Sequence, residues 1–282
     1  MLVPTAELVS AAAATRTGIG AFNVITIEHA EAIAAGAEQA GRPVILQISE
    51  NAVRFHGGRL QPIAAATRAI AALCGVATAL HLDHITSDEL LHLAPEHGFG
   101  SVMYDASARP YDDNIAVTRK AAAFAHTNGL WVEGELGEVG GKDGSRARDA
   151  HSAGARTDPS EAAAYVAATS IDGLAVAVGS EHAMTTRTAM LDHKLIAQLR
   201  AALPVPLVLH GSSGVPDDEL VRAIRAGMVK VNIGTALNLA FTGAVADHLG
   251  RSPETVDPRI YLTVARDGMA DCVARFASLL AS

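Results

Sequence analysis

Cysteine is nearly missing from this chain. Its 282 residues include two, Cys74 and Cys272, far apart in sequence. Two distant thiols make a disulfide framework improbable, and the usage is compatible with a reducing cytosol, the expected setting. Charge is also sparse: 18% of residues are Asp, Glu, Lys or Arg, the formal net charge is −8, and no run of five basic residues occurs. These features count against nucleic acid and anionic membrane as partners. They do not count against a small anionic substrate, which a local site binds whatever the net charge. No 18 consecutive apolar residues occur, so no membrane span is expected. The first twenty residues lack a basic leading region and are interrupted by Pro4 and Glu7. They predict an amphipathic helix rather than a signal peptide. No GxGxxG follows the first apolar run, which weakens the case for an open, dinucleotide-binding sheet.

What is present is apolar and periodic. Hydrophobic residues make up 49% of the chain. Eight short apolar runs recur at 18–24, 43–49, 78–83, 101–106, 130–136, 173–179, 206–211 and 228–234, with Ala-rich helical stretches between most of them. Near-continuous apolar strands alternating with helices predict a parallel sheet buried on both faces. Eight such units in a chain of this length predict one (β/α)₈ TIM barrel over residues 1–282, with extra C-terminal helices after residue 251. The connection 137–158 is too long for a plain turn and carries "GGKDG", the pattern of a mobile catalytic lid.

In such a barrel the reactive groups stand at the C-terminal ends of the strands. Here those ends carry Asn23, Ser49, Asp83 with His84, Asp105, Glu135, Gly179 to His182, His210 with Gly211, and Asn232 to Thr235. Three of the twelve histidines, His84, His182 and His210, follow three different strands. Three neutral imidazoles with an open fourth position suit a catalytic zinc. A lone histidine there is more often a capping or surface residue, and the joint metal reading stands beside that alternative. Glu133 and Glu135 share one strand face, so Glu135 is either a ligand, a group orienting one, or half of a salt bridge in the barrel mouth. "LHGSSG" (209–214) and "NIGTA" (232–236) place small residues between strands 7 and 8 and the helices that follow, where barrels often bind phosphate. Lys230 admits a Schiff-base role. The favoured reading is a lysine paired with a carboxylate lower in the barrel.

"LHLDHI", "SVMYDAS", "VEGELGEVGG", "LAVAVGSEH", "LVLHGSSG" and "VNIGTAL" occur in the order found in class II, metal-dependent fructose-bisphosphate aldolases. The resemblance runs from "AFNV" to "DPRIYL" and leans toward the tagatose-bisphosphate, or ketose-bisphosphate, aldolase branch. It implies zinc at His84, His182 and His210, with a monovalent cation as a second candidate ion. It implies Asp83 as acid/base at the C4 hydroxyl, Glu135 as an acid near the metal, and Asp105 and Ser107 as the family's "DAS". Gly179, Gly211, Ser213 and Thr235 match donor-phosphate binders, Asn232 a substrate-hydroxyl contact, and Arg259 in "DPR" a distal-phosphate contact. Asn23 and Ser49 join them as strand-end substrate contacts. Asp143, in the glycine-rich loop, stands where the family's proton-exchanging acid lies.

Four departures narrow the match. The family's "HG" after the strand-6 histidine is "HA" here, with Ala183; its following lysine gives way to "TTRT", with Arg187; "NxDT" becomes "NIGT", with Gly234; and "GGxED" becomes "GGKDG". The expectation is an aldolase that cleaves a ketose phosphate or bisphosphate to dihydroxyacetone phosphate and an aldehyde, built as a homodimer or homotetramer. Three alternatives remain at this stage. One is the same chemistry on an inositol-derived or sulfonated sugar. Another is a metal-dependent barrel hydrolase, although the first strand lacks the His-x-His such enzymes usually carry. The last is a non-catalytic accessory barrel.

Overall fold

The structure is a computed structural model that describes residues 1–137 and 156–282. Eight parallel strands follow one another in chain order and close into a barrel. They are β1 (Ile19–Asn23), β2 (Val44–Ser49), β3 (Thr78–Ile85), β4 (Ser101–Tyr104), β5 (Trp131–Leu136), β6 (Gly173–Val176), β7 (Leu207–Leu209) and β8 (Met228–Ile233). All eight fall within or across the predicted runs. β3 runs two residues further than expected, to Ile85, and β6 stops at Val176, where the chain leaves the sheet before Gly179.

The helices are α1 (Thr5–Thr15), α2 (Ile27–Ala40), α3 (Glu50–Phe55), α4 (Leu60–Leu73), α5 (Asp88–Leu93), α6 (Tyr111–Thr127), α7 (Pro159–Thr169), α8 (His193–Ala202), α9 (Asp217–Ala226), α10 (Thr235–Arg251) and α11 (Pro258–Leu280). Their boundaries are written locally. Thr26 and His29 form a reciprocal cap at the start of α2, and Asp257 with Pro258 opens α11. Beyond residue 251 the expected helical stretch is this one long helix, which packs against α2 and α10.

The barrel interior is layered. At the N-terminal ends of the strands Ile19, Ile45, Trp131, Val208 and Val229 meet Leu8, Val9 and Ala12 of α1, so α1 plugs that end. Above this apolar floor lies a wholly buried polar layer: Gln47, His81, Glu133 and Lys230. Buried polar groups are usually paired, and most of these are: Lys230 Nζ donates to Glu133 Oε2 at 2.8 Å and to Asn232 Oδ1 at 2.7 Å. His81 Nδ1 meets Ser101 Oγ at 2.7 Å, and Ser101 Oγ meets Thr5 Oγ1 at 2.7 Å. Polarity therefore rises along the barrel axis toward the strands' C-terminal ends.

Candidate active site

A cavity of about 400 Å³ opens at that end. Of the residues singled out in the sequence, Asn23, Ser49, Asp83, His84, Asp105, His182, Gly211, Ser213, Asn232 and Thr235 line it. They come from both ends and the middle of the chain, because closing β8 onto β1 sets Asn232 beside Ala21.

The three histidines converge. Ring centroids are 4.7 Å apart for His84 and His210, 5.3 Å for His84 and His182, and 5.6 Å for His182 and His210. One ring nitrogen from each lies within 4.8 Å of the others. Carboxylates orient two of them. His84 Nδ1 is 2.8 Å from Asp105 Oδ2, and Asp105 Oδ1 accepts from Ser107 Oγ at 2.7 Å. A ring that donates through Nδ1 turns its Nε2 lone pair away from the acid, the outer-shell arrangement usual behind ligating histidines. His210 Nε2 is 2.9 Å from Glu133 Oε1, while its Nδ1 is 2.9 Å from Glu135 Oε2. Burial alone would lower the His210 pKa, but Glu133 and Glu135 outweigh it and raise it to about 9. The pair of acids thus makes His210 Nδ1 a place for a positive charge, either a proton or a metal ion. His84, Asp105 and Glu135 form a second group close enough to share an ion. A nitrogen-rich triad with carboxylates behind it fits a zinc ion in donor type and number.

The backbone here is unusual. His84 has φ +48° and Ala183, next to His182, has φ +58°. Both lie in the left-handed region, where non-glycine residues are uncommon and strain gathers at functional sites. The sequence departure at Ala183 therefore falls at a position where glycine would be relaxed. Gly211 (φ +66°) is constrained twice over, since an added Cβ would lie 2.5 Å from the Glu181 carbonyl group.

Asp83 is 2% exposed and faces its partners from β3. Gln47 Nε2 donates to Oδ2 at 3.3 Å and Asn232 Nδ2 to Oδ1 at 3.4 Å, while His81 Nε2 stands 3.5 Å from Oδ1. Burial alone would raise its pKa, but the nearby His84 and His81 rings hold the carboxylate well below the usual range. Asp83 is thus kept ionised and ready to accept a proton. On the other side of the cavity Ser213 Oγ accepts from the Ala236 N–H at 3.0 Å, at the first turn of α10. Thr235 opens that helix, so its N-terminal end lies at the cavity beside Gly211 and Ser213.

Other expected residues lie elsewhere. Glu135 and His210 are fully buried against each other, and neither is among the residues that line the cavity. Gly179 sits outside the lining too. Arg259 is 88% exposed at the start of α11, ion-paired to Asp257. Arg187 bonds the Val215 carbonyl and Asp217 away from the cavity. Lys230 forms the buried carboxylate pair that the sequence favoured. Asp143, and most of the loop around it, lies outside the described residues.

Sequence reasoning missed Gln47, Arg54 and Glu50. Gln47 carried a signal: it is the one polar residue inside "VILQI", on the same strand face as Ser49. Among the described lining residues Arg54 is the only Arg or Lys; it bonds Glu50 Oε1 at 2.5 Å and Asn51 Oδ1 at 3.1 Å. Glu50 Oε2 accepts from the Thr86 N–H at 2.6 Å, tying α3 to the end of β3.

A closed parallel barrel whose histidines and ionised aspartate meet at the C-terminal mouth is a TIM-barrel enzyme by architecture and by placement of its polar groups. A sequence model described as "Fructose-bisphosphate aldolase class-II" matches residues 3–282. A fructose-bisphosphate aldolase of Thermus caldophilus is 36% identical over 308 aligned positions, covering 100% of this chain and 99% of the relative. The crystal structure of the YdjI aldolase of Escherichia coli K12 superposes with a TM-score of 0.86 at 31% identity, over 100% of this chain and 98% of that one. A fructose-bisphosphate aldolase of Campylobacter jejuni, at 21% identity and a TM-score of 0.80 over 99% of this chain and 95% of that one, shares the fold. The chain belongs to the class II fructose-bisphosphate aldolase family and is an aldolase, a carbon–carbon lyase.

Proposed function

We propose that the enzyme is zinc-dependent and reversibly cleaves a ketose phosphate or bisphosphate to dihydroxyacetone phosphate and an aldehyde. The observation that carries this reading is the convergence of His84, His182 and His210 beside the ionised, buried Asp83. These three histidines would hold the metal, with Glu135 and Asp105 behind them. A zinc ion there supplies Lewis-acid stabilisation, worth several kcal/mol, to the charge left on the donor fragment when C3–C4 breaks.

The chain's own groups do the rest. Asp83 accepts the proton of the C4 hydroxyl as the bond breaks, the kind of help typically worth about 10²–10⁴ in rate. Gln47 and Asn232 fix both of its oxygens, so the acceptor needs no reorganisation. Gly211, Ser213 and Thr235 receive the donor phosphate, where a helix start offers N–H groups and a favourable dipole. Asn23 and Ser49 contact substrate hydroxyls, and Asp143 returns a proton to the donor carbon. Gly179 and Arg259 enter only if the chain around them moves or a neighbouring subunit presents them.

One observation favours a second reading of the substrate within the same mechanism. Arg54 stands in the cavity while Arg259 stands outside it. The end of the sugar remote from the donor phosphate is then an anion met by Arg54, which includes carboxylated and sulfonated sugars as well as a second phosphate. Residues 1–282 act as one catalytic domain of a cytoplasmic homodimer or homotetramer. No described helix is long and apolar enough to cross a membrane.

The test is metal removal with reconstitution. Chelator-treated enzyme should lose aldehyde release and recover it with zinc, and an aldol-condensation screen with phosphorylated and unphosphorylated dihydroxyacetone should favour the former. Full activity in chelator would overturn the metal reading.

A further inference from the structure

The plugged end of the barrel carries a second cavity, of about 350 Å³, on the opposite face from the active site. Its floor is apolar, from Ala13, Ile224, Ala226, Met228 and Val229. Its rim carries Arg16, Arg200 and Arg225, and the lining includes no Asp or Glu. That is an uneven draw from a chain whose 30 acidic residues outnumber its 22 Lys and Arg. Among the described residues, none of the three guanidinium groups has an ion pair or a side-chain hydrogen bond.

A cation at a helix C-terminus is ordinary, because it meets the negative end of the dipole. Arg200 and Arg225, in the last turns of α8 and α9, are each explained that way singly. Two features go further. Arg16 ends α1 in the left-handed conformation, φ +55° and ψ +38°, the place where glycine is the default. The chain bears that strain and holds a guanidinium at the cavity. Gly227, in turn, makes room for Arg200: at φ +128° an added Cβ would lie 2.7 Å from Arg200 Cβ and Cγ.

From these features we infer that the cavity between α1, α8 and α9 binds a small organic polyanion with two or more phosphoryl or carboxylate groups. Guanidinium forks match both groups in bidentate geometry, so the shared chemistry is the oxyanion. The apolar floor accommodates the carbon skeleton. The volume limits the ligand to metabolite size. The site stands apart from the histidine cluster, and its occupancy does not depend on the aldol reaction.

Hydrogen exchange read peptide by peptide tests this on the whole metal-loaded enzyme, with pyrophosphate and citrate as probes at constant ionic strength. The expected result is slower exchange in the segments around 13–18 and 222–229 with one or both probes, which also tells phosphoryl from carboxylate ligands. Arg16→Gly separates binding from structure: it relieves the backbone strain, so the protein stays at least as stable. Its affinity for the effective probe should still fall about tenfold, as expected for a lost charge-assisted contact. Aldol activity should be unchanged. Protection confined to active-site peptides, or equal protection in Arg16→Gly, would overturn the inference.

Discussion

Lys230 on β8 and Glu133 on β5 meet at 2.8 Å across the barrel interior, both completely buried. Lys230 also donates to Asn232 Oδ1, so its ammonium is anchored twice. An amine held as a paired cation is a poor nucleophile toward a carbonyl. Borohydride added with substrate should therefore leave Lys230 unlabelled. Lys230→Met leaves the buried Glu133 carboxylate with His210 as its remaining charged partner and should cost up to about 3 kcal/mol in urea unfolding. Lys230→Met with Glu133→Gln should recover part of that loss. Covalent trapping at Lys230 would move the reaction to Schiff-base chemistry.

The two proton transfers proposed here divide between two acids. Asp83 sits on a rigid strand end, and Asp143 lies in the glycine-rich connection. Asp83→Ala should retain zinc and still exchange a donor proton with solvent, but lose cleavage by roughly 10²–10⁴. Asp143→Ala should release aldehyde in a single turnover and fail in donor proton exchange. Isotope exchange run beside a rapid-quench aldehyde assay reads both. If each variant loses both activities equally with metal bound, the division is wrong.

Ser213 couples the two loops at the proposed phosphate end, because its hydroxyl accepts from the Ala236 N–H. Ser213→Ala should raise KM for phosphorylated dihydroxyacetone in condensation more than for the unphosphorylated compound. The gap should be about tenfold, the scale of one hydrogen bond to a charged group. Equal effects on the two donors would place the phosphate elsewhere.

Ala183 carries a left-handed backbone beside His182. Such a conformation costs a non-glycine residue roughly 1–2 kcal/mol, partly offset by the greater freedom glycine has when unfolded. Ala183→Gly should therefore leave thermal stability unchanged or raise it by up to about 1 kcal/mol. A clear drop in Tm would mean that the Ala183 methyl is doing packing work that outweighs the strain.

Much of this was legible in the sequence, for a physical reason. Parallel strands covered on both faces must be apolar nearly throughout, so the eight runs stand out, and a polar residue at a run's end marks the mouth. That logic located Asp83 and the three histidines. It says little about depth. Glu135 and Asp105 are both acids at strand ends, yet one is buried against His210 and the other lines the cavity. It also fails where position depends on a connection's path. Arg259 follows a recognisable motif, but only the course of residues 252–257 decides that it points to solvent and pairs with Asp257. Arg54 was invisible for the converse reason, since an exposed-looking arginine in a six-residue helix gives no sign that the helix caps a pocket.

Closure of β8 onto β1 has a consequence for how the enzyme is made. Asn23 belongs to the first strand synthesised and Asn232 to the last, and the mouth needs both. A growing chain therefore carries its three imidazoles and Asp83 without a working mouth until the final strand docks. Until then β1 and the latest strand each present an unpaired edge, the surface from which chains join one another. Fragments ending before Met228 should be prone to aggregate rather than partly active, and the final docking step, rich in long-range contacts, should be among the slow events of folding.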